Sequence, residues 1–387
     1  MSREDHKRLG DYIREVDVRN RDLSVTTLLG VSISKEFIPS IANTIGTDMS
    51  TYKIVRKGQF AYGPVTSRNG DKVSIALLAN EDNVIISQAY TVFEVKDTNE
   101  LLPKYLMMWF RRSEFDRYAR FHSHGSAREI FDWSEMCDVI LPIPSIERQR
   151  EIVAEYETLS KRIRLNEQMI SKLEETAQTL YRKMFVDGID KENLPDGWRM
   201  GKLGEIATVK SGYAFPSDWW QTNGISVIKI GSIKNNTIKV EDCDFVTKDK
   251  LEIAKNYIAN KGDIVIAMTG ATLGKIALVP QDGFMINQRV GLFDLGQHPL
   301  QKAPYLYWTL QREDIINEII TVGGDSAQAN VSNSDIEKIE YAIAPINEIE
   351  TFNIMTTDIL NLIILKHNEI NKLTELQSLL LAKMGKK

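Results

Sequence analysis

Between residues 146 and 185, apolar side chains recur at Ile152, Tyr156, Leu159, Ile163, Ile170, Leu173, Ala177, Leu180 and Met184, in unbroken steps of four and three, with Asn166 the one polar member. Such a series predicts a long amphipathic helix with a coiled-coil seam, in which a lone asparagine is a device for fixing register. At 1.5 Å per residue the seam is a rod roughly 50 Å long. Leu141-Pro142-Ile143-Pro144 stops helix from running in from upstream, and Ser145 reads as an N-cap with Glu147 and Glu151 in the early turns. A second stripe, Phe352, Ile359, Ile363, Ile370, Leu373, Leu380 and Met384, with Lys366 and Gln377 as polar members, predicts a second rod.

The rest of the chain mixes short β-rich runs (73–78, 83–86, 90–95 and 263–268) with a helix expected over 105–121. It also repeats itself at an interval of about 200 residues: Gln88 and Gln288, Phe93 and Phe293, Tyr105-Leu106 and Tyr305-Leu306, Arg112 and Arg312, Lys183-Met184 and Lys383-Met384. That interval is too long for a solenoid, and each copy is large enough for a domain plus a long helix. The expected order is a globular domain over 1–145, a helical spacer over 146–187, a linker and second domain over 188–345, and a C-terminal spacer over 346–387. Each rod alone has an unpaired stripe. Pairing them antiparallel buries both and places the two globular domains at opposite ends, so the predicted fold is mixed α+β (α/β) with pseudo-twofold symmetry.

With 43% hydrophobic and 26% charged residues, the 387-residue composition excludes disordered and fibrous classes. No apolar run is long enough to span a bilayer, the N-terminus has no secretory pattern, and Cys137 and Cys243 lack metal-type spacing. A cytoplasmic protein with reduced thiols is expected. The net charge of −5 argues against indiscriminate nucleic-acid binding yet leaves room for local basic surfaces.

Several stretches carry a resemblance: Leu194-Pro195-Asp196-Gly197-Trp198 leading into Lys202-Leu203-Gly204-Glu205, Ala267-Met268-Thr269-Gly270-Ala271-Thr272-Leu273-Gly274-Lys275, Asn287-Gln288-Arg289-Val290, and Ser326-Ala327-Gln328-Ala329-Asn330-Val331-Ser332. In this order, on a duplicated two-domain, two-rod frame, they resemble the specificity subunits of type I restriction–modification systems over essentially the whole chain. The first half departs from the pattern, since its counterpart loop, Tyr62 to Gly70, is longer. The resemblance implies two target-recognition domains, each reading one half of a bipartite, asymmetric DNA sequence. It also implies that the rods dock two methyltransferase subunits, joined by restriction and motor subunits in the full complex. Adenine-N6 methylation and DNA cleavage would then belong to that complex, and this chain would hold no catalytic residue, metal or cofactor.

Candidate DNA-contacting residues follow from chemistry. In the second domain Thr269, Thr272 and Lys275 sit in a Gly-rich loop after a strand, where a close backbone approach to phosphate is possible; a plain strand connection is the competing reading. The loop is not a P-loop, because the glycine spacing is one residue short and no Ser or Thr follows Lys275. Arg289, Gln328 and Asn330 carry the side chains that pair with base edges. Arg289 and Gln328 differ from their counterparts Ala89 and Arg128, which favours discrimination, whereas identity of Gln88 with Gln288, and of Arg112 with Arg312, favours a structural role. In the first domain the candidates are Arg68 and Asn69 in the loop, and Arg117, Arg120, His122, His124 and Arg128 in a basic run. Tyr213, Phe215, Trp219 and Trp220 read as a core cluster, with a stacking surface as the competing reading. On the rods, Ile152, Leu159, Ile163, Asn166, Ile170, Leu173, Leu180, Ile363, Lys366, Ile370, Leu373 and Leu380 are the expected spacer and partner-interface positions. The competing functional class is a duplicated coiled-coil scaffold that binds proteins and not DNA.

Overall fold

A computed structural model describes residues 6–40, 46–67, 69–70, 72–125, 128–324 and 329–385. It divides into two compact units, Met1–Arg162 with Leu373–Lys387, and Ile163–Lys372. Each unit contains one globular head and parts of both long helices, Ile146–Phe185 and Ile346–Met384.

In the first unit, His6–Arg8 pairs antiparallel with Ile140–Pro142, and Leu9 N–H donates to Val139 O at 2.8 Å. Between them lies a four-stranded antiparallel sheet in the order Ile13–Val16, Thr91–Val95, Phe60–Tyr62, Ile75–Leu77. Strand alternation sends Phe60, Tyr62, Ile75 and Phe93 to one face and Ala61, Ala76 and Val92 to the other. The aromatic face meets the helix Pro103–Phe110: Phe60 stacks on Phe93 at 4.8 Å, and Phe110 stands edge-on to both at 5.9 and 6.2 Å. The small-residue face packs on the ribbon Lys53–Arg56 and Asn83–Ile86. Helix does not run unbroken over 105–121 as expected. It stops at Phe110 and restarts at Ser113, because Arg112 is extended (φ −74°, ψ 139°), its guanidinium lying 4.2 Å over the Trp109 ring. A buried ion pair closes this junction. Lys35 Nζ donates to Phe110 O and, at 2.7 Å, to Asp116 Oδ1, which also accepts Val73 N–H at 3.1 Å.

The second unit repeats the plan. Arg199–Lys202 pairs with Glu340–Ile343, and Leu203 N–H donates to Ile339 O at 2.9 Å. The central sheet runs Thr208–Ser211, Val290–Asp294, Ile264–Ala267, Ile276–Leu278 and gains two short strands, Thr237–Ile238 and Ile233–Lys234. Ile264, Ile266, Phe293, Ile276 and Leu278 face the helices, while Val265, Ala267, Ala277 and Leu292 face a second sheet in the order Asp244–Val246, Ile225–Ile228, Phe284–Ile286, Ile258–Ala259. Both sheet faces are buried, which is why these strands read as continuous apolar runs. Cys137 and Cys243 are free thiols.

The long helices pack antiparallel within each unit, low numbers of one meeting high numbers of the other. In the first unit Ile152, Val153 and Tyr156 join a core with Leu380, Leu381 and Met384, and Gln377 Nε2 donates to Ser160 Oγ at 2.7 Å. In the second, Ile170 packs with Ile363 and Ile370, and Ile163, Leu173 and Ile359 border them. Further on, Tyr181 and Phe185 lie 5.7 and 5.3 Å from Phe352. Asn166 is 2% exposed, and its Nδ2 has no partner among the described residues. The expected cap is present, with Ser145 Oγ accepting Arg148 N–H at 3.3 Å.

One turn differs tellingly between the heads. Gln59 accepts Arg56 N–H and donates to Glu94, at 2.8 Å each. Its counterpart Asp263 accepts Asn260 N–H at 2.7 Å. Burial raises the Asp263 carboxyl from the ordinary 3.8 to about 6, with Asp294 and Asp282 adding to the shift against the Asn260 bond. A raised carboxyl stabilises the native state fully below pH 4, and that contribution disappears as pH climbs through 6. Asp263→Asn keeps the turn acceptor and removes the buried charge. It should leave stability near pH 4 unchanged and raise it above pH 6.5 by up to about 3 kcal/mol, read from melting curves across that range.

Candidate nucleic-acid interface

Because both faces of each sheet are covered, side chains able to meet a ligand must come from the strand ends. In the second unit, Ile264–Ala267 runs into Met268 and Thr269 and turns at Gly270 (φ 67°) and Gly274 (φ 81°), backbone positions that favour glycine. Three segments are then knit together. Met268 N–H donates to Arg289 O (3.1 Å), Val331 N–H to Met268 O (3.0 Å), and Gly270 N–H to Ala329 O (2.9 Å). Thr269 bridges Asn330 through the backbone, and its hydroxyl donates to Ala329 O at 3.0 Å. Between them opens a cleft of about 440 Å³ lined by Ser211, Met268, Gln288, Arg289, Asn330 and Asn333, among others. Arg289 Nη1 donates to Asn330 Oδ1 at 3.3 Å, and Ser211 Oγ to Asn333 Oδ1 at 2.8 Å.

The candidates therefore sort by use. The hydroxyls of Thr269 and Thr272 hold the loop, the latter donating to Thr269 O at 3.3 Å. Lys275 and Arg289 are exposed and make no ion pair among the described residues. Arg289 and Asn330, far apart in sequence, touch. Gln328 lies outside the described residues. Met268, Asn333 and Ser211 were not among the candidates for this cleft, and Gln288, which carries a base-pairing side chain, was set aside because Gln88 matches it. Gln88 and Gln288 are both exposed, and neither side chain is hydrogen-bonded among the described residues.

The shared arginines do act structurally. Arg112 Nη2 lies so close to Gly385 that a Cβ there would sit 1.9 Å away. Arg312 grips Asp314 through two bonds of 2.9 and 2.6 Å, as Arg112 pairs with Glu114 at 3.6 Å. Both are largely buried beside a carboxylate in the first turn of the following helix, and Arg112 also abuts the residue that follows Ile346–Met384.

In the first unit the same register recurs: Phe131 N–H donates to Pro64 O (2.9 Å), Thr66 N–H to Glu129 O (3.0 Å), and Val65 bridges Ile130. The side chains differ. Pro64, Ala89, Ile130 and Trp133 stand where Met268, Arg289, Asn330 and Asn333 stand in the second unit, and Trp133 packs on Phe93 at 5.4 Å. Asn69 Nδ2 donates to Val65 O at 3.1 Å, holding its own turn, and Arg68 lies outside the described residues. The basic run is largely paired. Arg117 lies 3.7 Å from Glu114, Arg120 pairs with Glu129, and His122 and His124 share Glu135 at 2.9 and 3.7 Å. Arg128 is exposed, without an ion pair among the described residues. Glu114 lies on the same helix as Arg117 and Glu129 directly follows Arg128, while Glu135 comes from the helix Trp133–Asp138, so reading the basic letters alone hides their partners.

Tyr213, Phe215, Trp219 and Trp220 form a cluster with Val227, Val246 and Met285, capped by Lys229 and Lys250 over the indoles at 4.4 and 4.7 Å. On the rods, Ile152, Asn166, Ile170, Ile363 and Ile370 are buried, and Leu159, Ile163, Leu173, Leu180, Lys366, Leu373 and Leu380 are half-buried. Lys366 bonds Glu369 at 2.9 Å. The apolar residues that face outward are others: Leu165 (47% exposed), Met169 (44%), Ile354 (80%) and Leu365 (48%).

The sequence model of the family described as "Type I restriction modification DNA specificity domain" matches residues 34–175 and 195–375. The chain is 21% identical over 251 residues to the type I restriction enzyme MjaVIII specificity subunit of Methanocaldococcus jannaschii, covering 61% of this chain and 59% of that subunit. It is 23% identical over 406 residues to the HindI specificity subunit of Haemophilus influenzae, covering 86% of each. Among solved structures, the type I restriction–modification S subunit from M. genitalium shares its fold, with a TM-score of 0.59 at 16% identity, covering 99% of this chain and 96% of that one.

The turn bearing Gln288 and Arg289 leans on a glycine. A Cβ on Gly212 would lie 2.3 Å from Ile286 O and 2.4 Å from Asn287 O. Gly212→Ala should therefore displace that turn, lowering stability by about 1–3 kcal/mol and speeding proteolysis near residue 288, both measurable on the purified chain.

Proposed function

This chain belongs to the type I restriction–modification DNA specificity family, and from that premise we propose that it reads a bipartite, asymmetric DNA sequence, one half with each head, and carries the methyltransferase and restriction subunits to it. The observation that bears most weight is the pairing of one backbone register with two sets of side chains: Arg289, Asn330 and Asn333 in one head, Ala89, Ile130 and Trp133 in the other. Like frames with unlike tips suit two different half-sites. Base edges supply sequence, and phosphates supply position. Lys275 in one head and Arg128 in the other are exposed cations suited to phosphate, with Arg289 suited to a base edge.

The helices contribute in two ways. Their seam residues bury one another and set the spacer. Leu165 and Leu365, exposed at positions that match under the repeat, present the same apolar contact twice, as two copies of one methyltransferase require. Methylation of adenine and cleavage of DNA are assigned to the partner subunits. Placement in the compartment that holds the chromosome follows from this role.

The test is co-expression of this chain with the methyltransferase encoded beside it, followed by mapping of N6-methyladenine. New methylation at a gapped, asymmetric motif is expected, together with salt-sensitive duplex binding by the purified complex. A soluble complex that neither methylates nor binds duplex in a salt-sensitive way would instead favour a duplicated protein-binding scaffold. For the docking contact, Leu165→Glu or Leu365→Glu should weaken methyltransferase binding roughly tenfold or more, since each sets a charge in an apolar interface. Their outward positions should leave the melting temperature of the free chain unchanged.

A further inference from the structure

Resting on that reading, we propose that Arg289 and Asn330 form one guanine-reading unit, in which Arg289 contacts the base and Asn330 is a positioning residue, not a second reader. Read separately, the two side chains suggest a guanine and an adenine, because Arg pairs with O6 and N7 of guanine and Asn with N6 and N7 of adenine. Their contact favours a single reader. An adenine contact needs the Asn330 oxygen to accept the N6 proton, and one of that oxygen's two lone pairs already takes Arg289 Nη1–H at 3.3 Å, which turns the amide towards the guanidinium. Arg289 spends one of its five donors there and keeps four, enough for the two-donor fork that guanine requires.

The backbone holds both residues against one short segment. Arg289 O accepts Met268 N–H at 3.1 Å, while Asn330 bridges Thr269 and donates its own N–H to Gly323 O at 3.0 Å. The guanidinium is exposed and has no carboxylate partner among the described residues, so an incoming base edge displaces no ion pair. In the other head, Ala89 and Ile130 occupy the matching positions and supply no fork. The guanine is thus specific to the half-site read by the second head.

The experiment uses the full chain in complex with its methyltransferase. Once the methylated motif is mapped, each guanine in it is replaced in turn by 7-deazaguanine, which lacks the N7 acceptor, or by adenine paired with thymine. For the wild-type complex, one guanine should be sensitive, with affinity falling roughly 5- to 150-fold on replacement by the A·T pair. Arg289→Ala should lose that sensitivity and methylate sites carrying any base there, while still discriminating in the other half-site, which also certifies a folded complex. Asn330→Ala should blunt the same guanine preference and relax no adenine. A uniform loss across all duplexes with Arg289→Ala would make Arg289 a phosphate contact and overturn the proposal. So would an adenine position relaxed by Asn330→Ala, or an unchanged motif in both variants. A wild-type complex that recognises no motif would instead remove the reading on which the proposal rests.

Discussion

Burial of both faces of the central sheet is the constraint on which each head depends. In the second head, alternation along Ile264–Ala267 commits Ile264 and Ile266 to the helices and Val265 and Ala267 to the second sheet. In the first, Phe60 and Tyr62 go one way and Ala61 the other. A strand so used has no side chain left for a ligand. Chemistry moves to the ends, where backbone bonds join Met268, Arg289 and Ala329–Val331 into one frame. The bonds to the 329–331 segment recur in the other head, whereas Pro64, lacking an N–H, has no counterpart of the Met268–Arg289 bond, and the polar content diverges.

That separation gives identity between the two halves more than one meaning. Arg112 and Arg312 are alike in being largely buried against a carboxylate that opens the next helix, Glu114 and Asp314 respectively. Gln88 and Gln288 are alike yet exposed, so packing does not account for their identity. Arg289 and Ala89 differ on the same frame. Duplication alone therefore marks positions but does not rank them; exposure and bonding do.

The long helices follow similar logic. Their seams are consumed in packing, as the core around Ile170, Ile363 and Ile370 shows, and apolar residues such as Leu165 and Leu365 are left facing outward. Asn166 sits in that seam with an unpaired amide nitrogen. Burying such a group carries a cost of order 1–3 kcal/mol, which is the usual penalty for choosing one register over others.

The sequence by itself determined what periodicity and repetition can encode: the two helices, the duplicated plan, the strands over 83–86 and 264–267, and the cap at Ser145. These are local patterns, or copies of one another, and survive without knowledge of neighbours. Tertiary structure decided which charges are free and which side chains touch. The run from Arg117 to Arg128 reads as basic, but the chain folds back so that Glu129 pairs with Arg120 and Glu135 with His122 and His124. Arg289 and Asn330 are 41 positions apart and became one unit only when the segments holding them were bonded to the same short strand end. Hydrogen bonds and ion pairs act over a few ångströms in space, and sequence distance does not measure that.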